Sequence, residues 1–146
     1  MCEELFAYAY RLLARRAYTK AEMAKKLESK ADQRTVRNVI KRLAEEKYLD
    51  DYAFARSYVH YRCSVRPLGR TLLEIKLCSR GVPKAIIQKV LDEIKPEEEE
   101  AMAKSLVKKK AAMLNNLEPQ LRRQRLYRFL ISRGFSSAIA QKYAEF

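Results

Sequence analysis

Leu77-Cys78-Ser79-Arg80-Gly81-Val82 returns 53 residues later as Leu130-Ile131-Ser132-Arg133-Gly134-Phe135. Just beyond it, Ala85-Ile86-x-Gln88-Lys89 returns without a gap as Ala138-Ile139-x-Gln141-Lys142. Self-similarity at a period of about 50 residues marks a chain built from one supersecondary unit used several times. A third, weaker copy lies upstream. At an offset of 50, Met23, Lys26, Leu27, Ser29 and Lys30 align with Leu73, Lys76, Leu77, Ser79 and Arg80. The helices that lead each copy align at 48, through Phe6, Phe54 and Met102 and then Tyr10, Tyr58 and Leu106. The repeats are therefore placed at residues 1–50, 51–95 and 96–146.

Each copy reads as three short helices. Phe6, Tyr10 and Leu13 recur at helical spacing across Glu3 to Arg16. Thr19-Lys20-Ala21-Glu22 is a capping box that opens a second helix with Met23 and Leu27 inward. Asp32 caps a third, with Val36, Ile40 and Leu43 on its apolar side. The pattern restarts over 51–63 with Phe54, Tyr58 and Tyr61. Pro67 fits an early position of the fifth helix, which carries Leu68, Leu72, Leu73, Ile75 and Leu77. Gly81 suits a left-handed closing residue, and Pro83 starts the sixth with Ala85, Ile86, Val90 and Leu91.

In the last copy Pro96 and Glu97 to Glu100 suit a helix N-terminus, followed by Met102, Leu106 and Met113. Pro119 opens a helix with Leu126, Phe129 and Leu130, Gly134 closes it, and Ser136 caps a ninth helix with Ile139 and Tyr143. The expected fold is all-α: an elongated, gently curved tandem array of three helix-turn-helix-like units, about nine helices, whose short apolar faces need one another for cover.

Composition fits a folded protein: 48% apolar, aromatic and cysteine residues against 34% charged, with 3 Gly and 4 Pro to interrupt helices. No apolar run approaches the ~20 residues of a membrane span. Met1-Cys2-Glu3-Glu4 is not the basic and apolar start of a secretory leader, so the expected location is the cytoplasm and no membrane partner is expected. Cys2, Cys63 and Cys78 are odd in number and lack C-x-x-C spacing, which predicts reduced thiols, two of them at packed positions.

Motifs of catalysis are missing. There is no Gly-rich phosphate loop, H-E-x-x-H or G-x-S-x-G. The one histidine, His60, precedes Cys63 by three residues, but a metal site needs a second pair of ligands that the sequence does not supply. Asp50-Asp51 reads as helix capping rather than as part of a two-metal centre. The expectation is a non-enzymatic protein with no cofactor.

Charge carries more information. Lys and Arg number 31 and Asp and Glu 18, a formal charge of +13. Residues 1–50 hold 12 basic and 8 acidic side chains, 51–95 hold 9 and 4, and 96–146 hold 10 and 6. An excess spread evenly over three repeats suits a long polyanion or an acidic protein groove, with a salt-dependent counterion term if the partner is nucleic acid. Arg62, Arg66 and Arg70 recur every four residues, Lys104 and Lys108 share a helix face, and Arg122, Arg125 and Arg128 are spaced by three with Arg123 alongside. Lys26, Lys76, Arg80 and Arg133 recur with the repeat itself. These thirteen are the candidate contacts to phosphates or to carboxylates of a partner. Nine tyrosines add a capacity for base stacking. Tyr10, Tyr58 and Tyr143 are expected to be packed, whereas Tyr18, Tyr48 and Tyr61 are less constrained.

The sequence resembles the RecX family of bacterial recombination regulators over nearly its full length. The resemblance rests on Tyr48-Leu49-Asp50-Asp51-Tyr52-Ala53-Phe54-Ala55-Arg56-Ser57-Tyr58-Val59, Arg62, and Leu72-Leu73-Glu74-Ile75-Lys76-Leu77-Cys78-Ser79-Arg80-Gly81-Val82. Leu12-Leu13-Ala14-Arg15-Arg16-x-Tyr18-Thr19-x-Ala21-Glu22-Met23 and Arg128-Phe129-Leu130-x-x-Arg133-Gly134-Phe135 add to it. Lys47 departs from the family's usual glycine, and Arg66-Pro67-Leu68-Gly69 from its basic Gly-Pro connection. The resemblance implies a monomeric modulator that binds RecA recombinase filaments along their groove. It further implies contacts with single-stranded DNA and, as a second candidate, double-stranded DNA, and restraint of strand exchange, ATPase and co-protease activity. The main alternative is a helix-turn-helix regulator that reads duplex DNA by sequence.

Overall fold

A computed structural model describes residues 2–145. Among them the elements are nine α-helices in three three-helix repeats. The first repeat holds α1 (Cys2–Arg15), α2 (Lys20–Glu28) and α3 (Gln33–Glu45). The second holds α4 (Asp51–Ser64), α5 (Arg70–Ser79) and α6 (Lys84–Asp92). The third holds α7 (Pro96–Ala112), α8 (Pro119–Ser132) and α9 (Ser137–Tyr143).

The helix ends follow local chemistry. Thr19 caps α2 by accepting from the Glu22 amide while Glu22 accepts from the Thr19 amide, satisfying two donors that a helix start leaves open. Asp32 caps α3 through the Thr35 amide, and Ser136 caps α9 through that of Ile139. Proline stands at the first position of α7 and of α8, where its missing N–H costs nothing. Gly81 and Gly134 both have positive φ, 84° and 92°.

The fifth helix differs from expectation: it begins at Arg70, and Pro67-Leu68-Gly69 lie outside it. Leu68 is nonetheless buried. The start is delayed because the Gly69 amide donates to the Arg133 carbonyl at 2.7 Å, while the Gly69 carbonyl accepts the first helical bond from Leu73 at 3.0 Å.

Contacts divide the chain into two compact units. Among the described residues one comprises 2–57 and 77–88, the other 58–76 and 89–145, so the chain passes from one to the other inside α4, α5 and α6. In the first unit α1 packs on both α2 and α3 around Leu5, Ala9, Met23, Leu27, Val36, Val39 and Leu43. In the second, α7, α8 and α9 pack on one another, with Met102, Val107, Leu126, Leu130 and Ala140 buried. Each fully buried leucine contributes about 1.5–3 kcal/mol, more than a surface ion pair.

Several expected core positions are corrected. In α1 the buried pair is Leu5 and Ala9, with Phe6 half-buried and Tyr10 exposed. In α4 it is Ala55 and Val59, with Tyr61 exposed. Small residues let the helix backbones approach, which moves the bulky aromatics to the flank of the contact. Ile75, Met113 and Ala85 are also exposed. Of the thiols only Cys63 is partly covered, and burial, with Glu98 nearby, pushes its pKa up.

Candidate functional site

The Arg-Gly turn of each repeated segment lies, inside its own unit, against the start of the preceding repeat's second helix. Within the first unit, the Arg80-Gly81 turn that ends α5 lies against the start of α2. The Thr19 hydroxyl, fully buried, donates to the Arg80 carbonyl at 2.6 Å. A Cβ on Gly81 would stand 2.4 Å from that of Ala21. The Arg80 guanidinium bonds Glu22 at 2.6 Å and lies 4.9 Å from the Phe54 ring centre. Asp51, at the first position of α4, accepts from the Lys20 amide at 2.9 Å, while its neighbour Asp50 caps α4 itself through Ala53. The two adjacent carboxylates therefore cap two different helices. Burial opposes ionisation of Glu22, but the bonds from Arg80 and from the Thr19 amide outweigh it and hold its pKa below the ordinary range.

Within the second unit the same layout recurs. The Arg133-Gly134 turn that ends α8 lies against the start of α5, with Gly69 donating to Arg133 and Thr71 donating to the Gly134 carbonyl at 3.2 Å. A Cβ on Gly69 would come within 2.2 Å of the Gly134 carbonyl carbon. Arg70, the counterpart of Lys20, bonds Glu99 at 2.8 Å and the carbonyls of Leu91 and Ile94 at 2.6 Å each. Those two carbonyls lie at and just beyond the end of α6, where a cation answers the negative helix end.

The thirteen candidate cations thus fall into two sets. Arg70 and Arg80 are half-buried and spent on bonds inside their own unit. Arg133 is half-buried too, donating through one nitrogen to the Pro67 carbonyl at 3.2 Å. Arg62 and Arg122 are half-buried, and with Arg133 each leaves a buried Nε without a hydrogen-bond partner. Lys76 is also half-buried.

Lys26, Arg66, Lys104, Lys108, Arg123, Arg125 and Arg128 are exposed. The fold brings Arg123 and Arg128 to one groove of about 560 Å³ between α8 and α9, beside Tyr127 and Gln141. At the far side of α9, Lys142 and the Tyr143 hydroxyl both bond Glu100, at 2.6 and 3.1 Å, and these bonds lower the pKa of Glu100.

A second cationic groove, about 530 Å³ between α2 and α3, escaped the sequence reading. Ala21, Ala24, Val36, Ile40 and Ala44 line it together with Lys20, Arg37 and Lys41 and one carboxylate, Glu45. The signal was present as the four-residue spacing of Arg37 and Lys41 beside an apolar stripe. His60 is exposed, and no metal-holding group of three ligands gathers among the described residues. No helix among them is long and apolar enough to cross a membrane.

Three family models match the chain in series: the first three-helix domain of RecX at residues 6–43, the second at 50–91 and the third at 97–143. The chain belongs to the RecX family. The regulatory protein RecX of Thermus thermophilus is 34% identical over 140 residues, covering 96% of this chain and 89% of the relative. That of Thermobifida fusca is 31% identical, covering 96% and 78%. Among solved structures, RecX from Lactobacillus salivarius superposes with a TM-score of 0.91 at 19% identity over 97% of this chain and 93% of that one. Another RecX crystal structure gives 0.88 at 24% identity, covering 99% and 72%. These two likenesses establish the fold. As a RecX family member the chain is a regulatory protein and not an enzyme.

Proposed function

We propose that this chain binds the RecA–DNA nucleoprotein filament in its groove and restrains its recombinase, ATPase and co-protease activities. The observation that carries the reading is the even excess of positive charge over three related repeats. A partner that itself repeats along an axis can meet such a series copy by copy, whereas a compact acidic protein would need one patch. The contacts are assigned to the exposed cations Lys26, Arg66, Lys104, Lys108, Arg123, Arg125 and Arg128. Arg70, Arg80 and Arg133 serve the chain's own joints. RecX family membership supports the regulatory role.

The test compares free recombinase, bare single-stranded DNA and the assembled filament over a series of salt concentrations. The filament is expected to bind best. R66A combined with R123A and R128A is expected to lower the slope of log affinity against log salt by about two to three, roughly one per lost phosphate contact. Unchanged affinity and slope in folded variants would remove these residues from the contact. A preference for one duplex sequence over mixed DNA by orders of magnitude would replace the filament with duplex readout.

A further inference from the structure

Lys47 closes α3 in a left-handed backbone conformation, φ 64°, which side-chain-bearing residues adopt only at a cost. Its amide donates to the Ala44 carbonyl at 3.0 Å and the next amide, of Tyr48, to that of Leu43 at 2.8 Å, a helix ending that glycine makes with less strain. The turn delivers Tyr48 to the surface with 53% of its area exposed. Its ring centre lies 4.9 Å from that of Tyr10, which is 36% exposed, with the planes tilted by 59°. Tyr10 stands 6.2 Å from Phe6 in a stacked arrangement, 26° between planes.

This row of rings is held in place. The Tyr10 hydroxyl donates to Glu46 at 3.2 Å, and Arg42 donates to the other oxygen of the same carboxylate at 3.1 Å. The Arg42 guanidinium also sits 4.8 Å from the Phe6 ring centre. Arg42 balances the charge of Glu46, and Lys47 adds a cation next to Tyr48 in the chain. Rings fixed beforehand lose little freedom when a ligand stacks on them.

We propose that the exposed Tyr48 ring, backed by Tyr10, is a stacking platform for the bases of a single-stranded nucleic acid, with Lys47 facing its phosphates. A duplex keeps its base faces stacked inside, so a single strand is the nucleic acid that offers them. An acidic peptide would answer Lys47 but would leave the exposed Tyr48 ring without a counterpart. The platform belongs to the first unit, whereas Arg66, Arg123 and Arg128, altered in the filament test, belong to the second, and the platform needs no recombinase.

The chain has no tryptophan and nine tyrosines, so its intrinsic fluorescence reports on tyrosine alone. Titration of the full chain with an oligothymidylate is expected to quench that emission. Y10L/Y48A is expected to lose about tenfold or more in affinity, while Y10F/Y48F keeps affinity within about twofold because the ring faces remain. K47G is expected to raise the melting temperature while flattening the salt slope by about one. Wild-type affinity in folded Y10L/Y48A overturns the proposal. So does failure of the unaltered chain to bind the oligomer, or a loss confined to binding of recombinase protein, which would make the patch a protein contact. If the unaltered chain binds the oligomer but shows no preference for the filament, the filament reading fails and the platform stands.

Discussion

The joint at Gly81 and the joint at Gly134 share one plan and differ in what carries it. In both, the turn after a repeat's second helix lies against the start of the preceding repeat's second helix, and an acid from the leading helix reaches the same place. Around Gly81 the bonds run through side chains: Thr19 to the Arg80 carbonyl, Arg80 to Glu22, and Asp51 to a backbone amide. Around Gly134 two glycines bring backbone against backbone, and the ion pair moves from the turn to the receiving helix, as Arg70 with Glu99. The swap has a local cause. Glu22 aligns with Leu72, which accepts no bond, so Arg133 finds no carboxylate there and Arg70 takes over the pairing. A repeat joint tolerates exchange of its charges as long as the close approach and the count of satisfied polar groups are kept.

The largest effect is expected at Arg70. R70M would strand Glu99, whose residue is only 8% exposed, together with the Leu91 and Ile94 carbonyls. Loss of one partner of a fully buried pair costs about 3–5 kcal/mol, and the partial exposure of Arg70 puts this pair below that range. Chemical denaturation of R70M, E99L and the double variant should show the double variant more stable than R70M. A double variant that is less stable by the sum of the two losses would mean the pair is not the joint's main support.

Next come the glycines. G69A places its Cβ against the Gly134 backbone, which cannot swing aside, and about 1–3 kcal/mol of overpacking is expected. In G81A the new Cβ meets the Ala21 Cβ and the φ of 84° adds strain. The side-chain contact there can be relieved: A21G is expected to restore part of the loss in G81A. Melting curves of these three variants check the contrast between a backbone joint and a side-chain joint.

The smallest effect is on pH dependence. Because the folded pKa of Glu22 is depressed, its contribution is fully present above the unfolded value of about 4.3 and is lost as the pH falls through the folded one. E22Q should remove that part of the acid dependence of stability while changing little at neutral pH beyond the bond to Arg80. An unchanged acid limb in E22Q would show that the Glu22–Arg80 pair adds no linkage.

Much of the fold was legible. Thr19, Asp32, Pro96, Pro119 and Ser136 mark helix starts by interactions within one turn of chain, so local sequence suffices to place them. Gly81 and Gly134 were legible for the same reason. The start of α5 was not, because the Arg133 carbonyl that engages Gly69 lies 64 residues along the chain. The inward faces of α1 and α4 were misread toward Phe6, Tyr10 and Tyr61, since periodicity ranks residues by size and apolarity, while close helix packing selected Ala9 and Ala55.

The candidate site divides along the same line. The sequence by itself determined the repeat, the family and the even spread of cations, because each follows from residue identity and spacing. Tertiary structure alone decided which cations remain available. The Ser-Arg-Gly segment that first revealed the repeat is a joint, with Arg80 and Arg133 turned toward the preceding repeat and Arg70 held by Glu99 and two carbonyls. Identical side chains become solvent-facing groups or internal ties according to what lies within about 3 Å, and those neighbours come from distant parts of the chain.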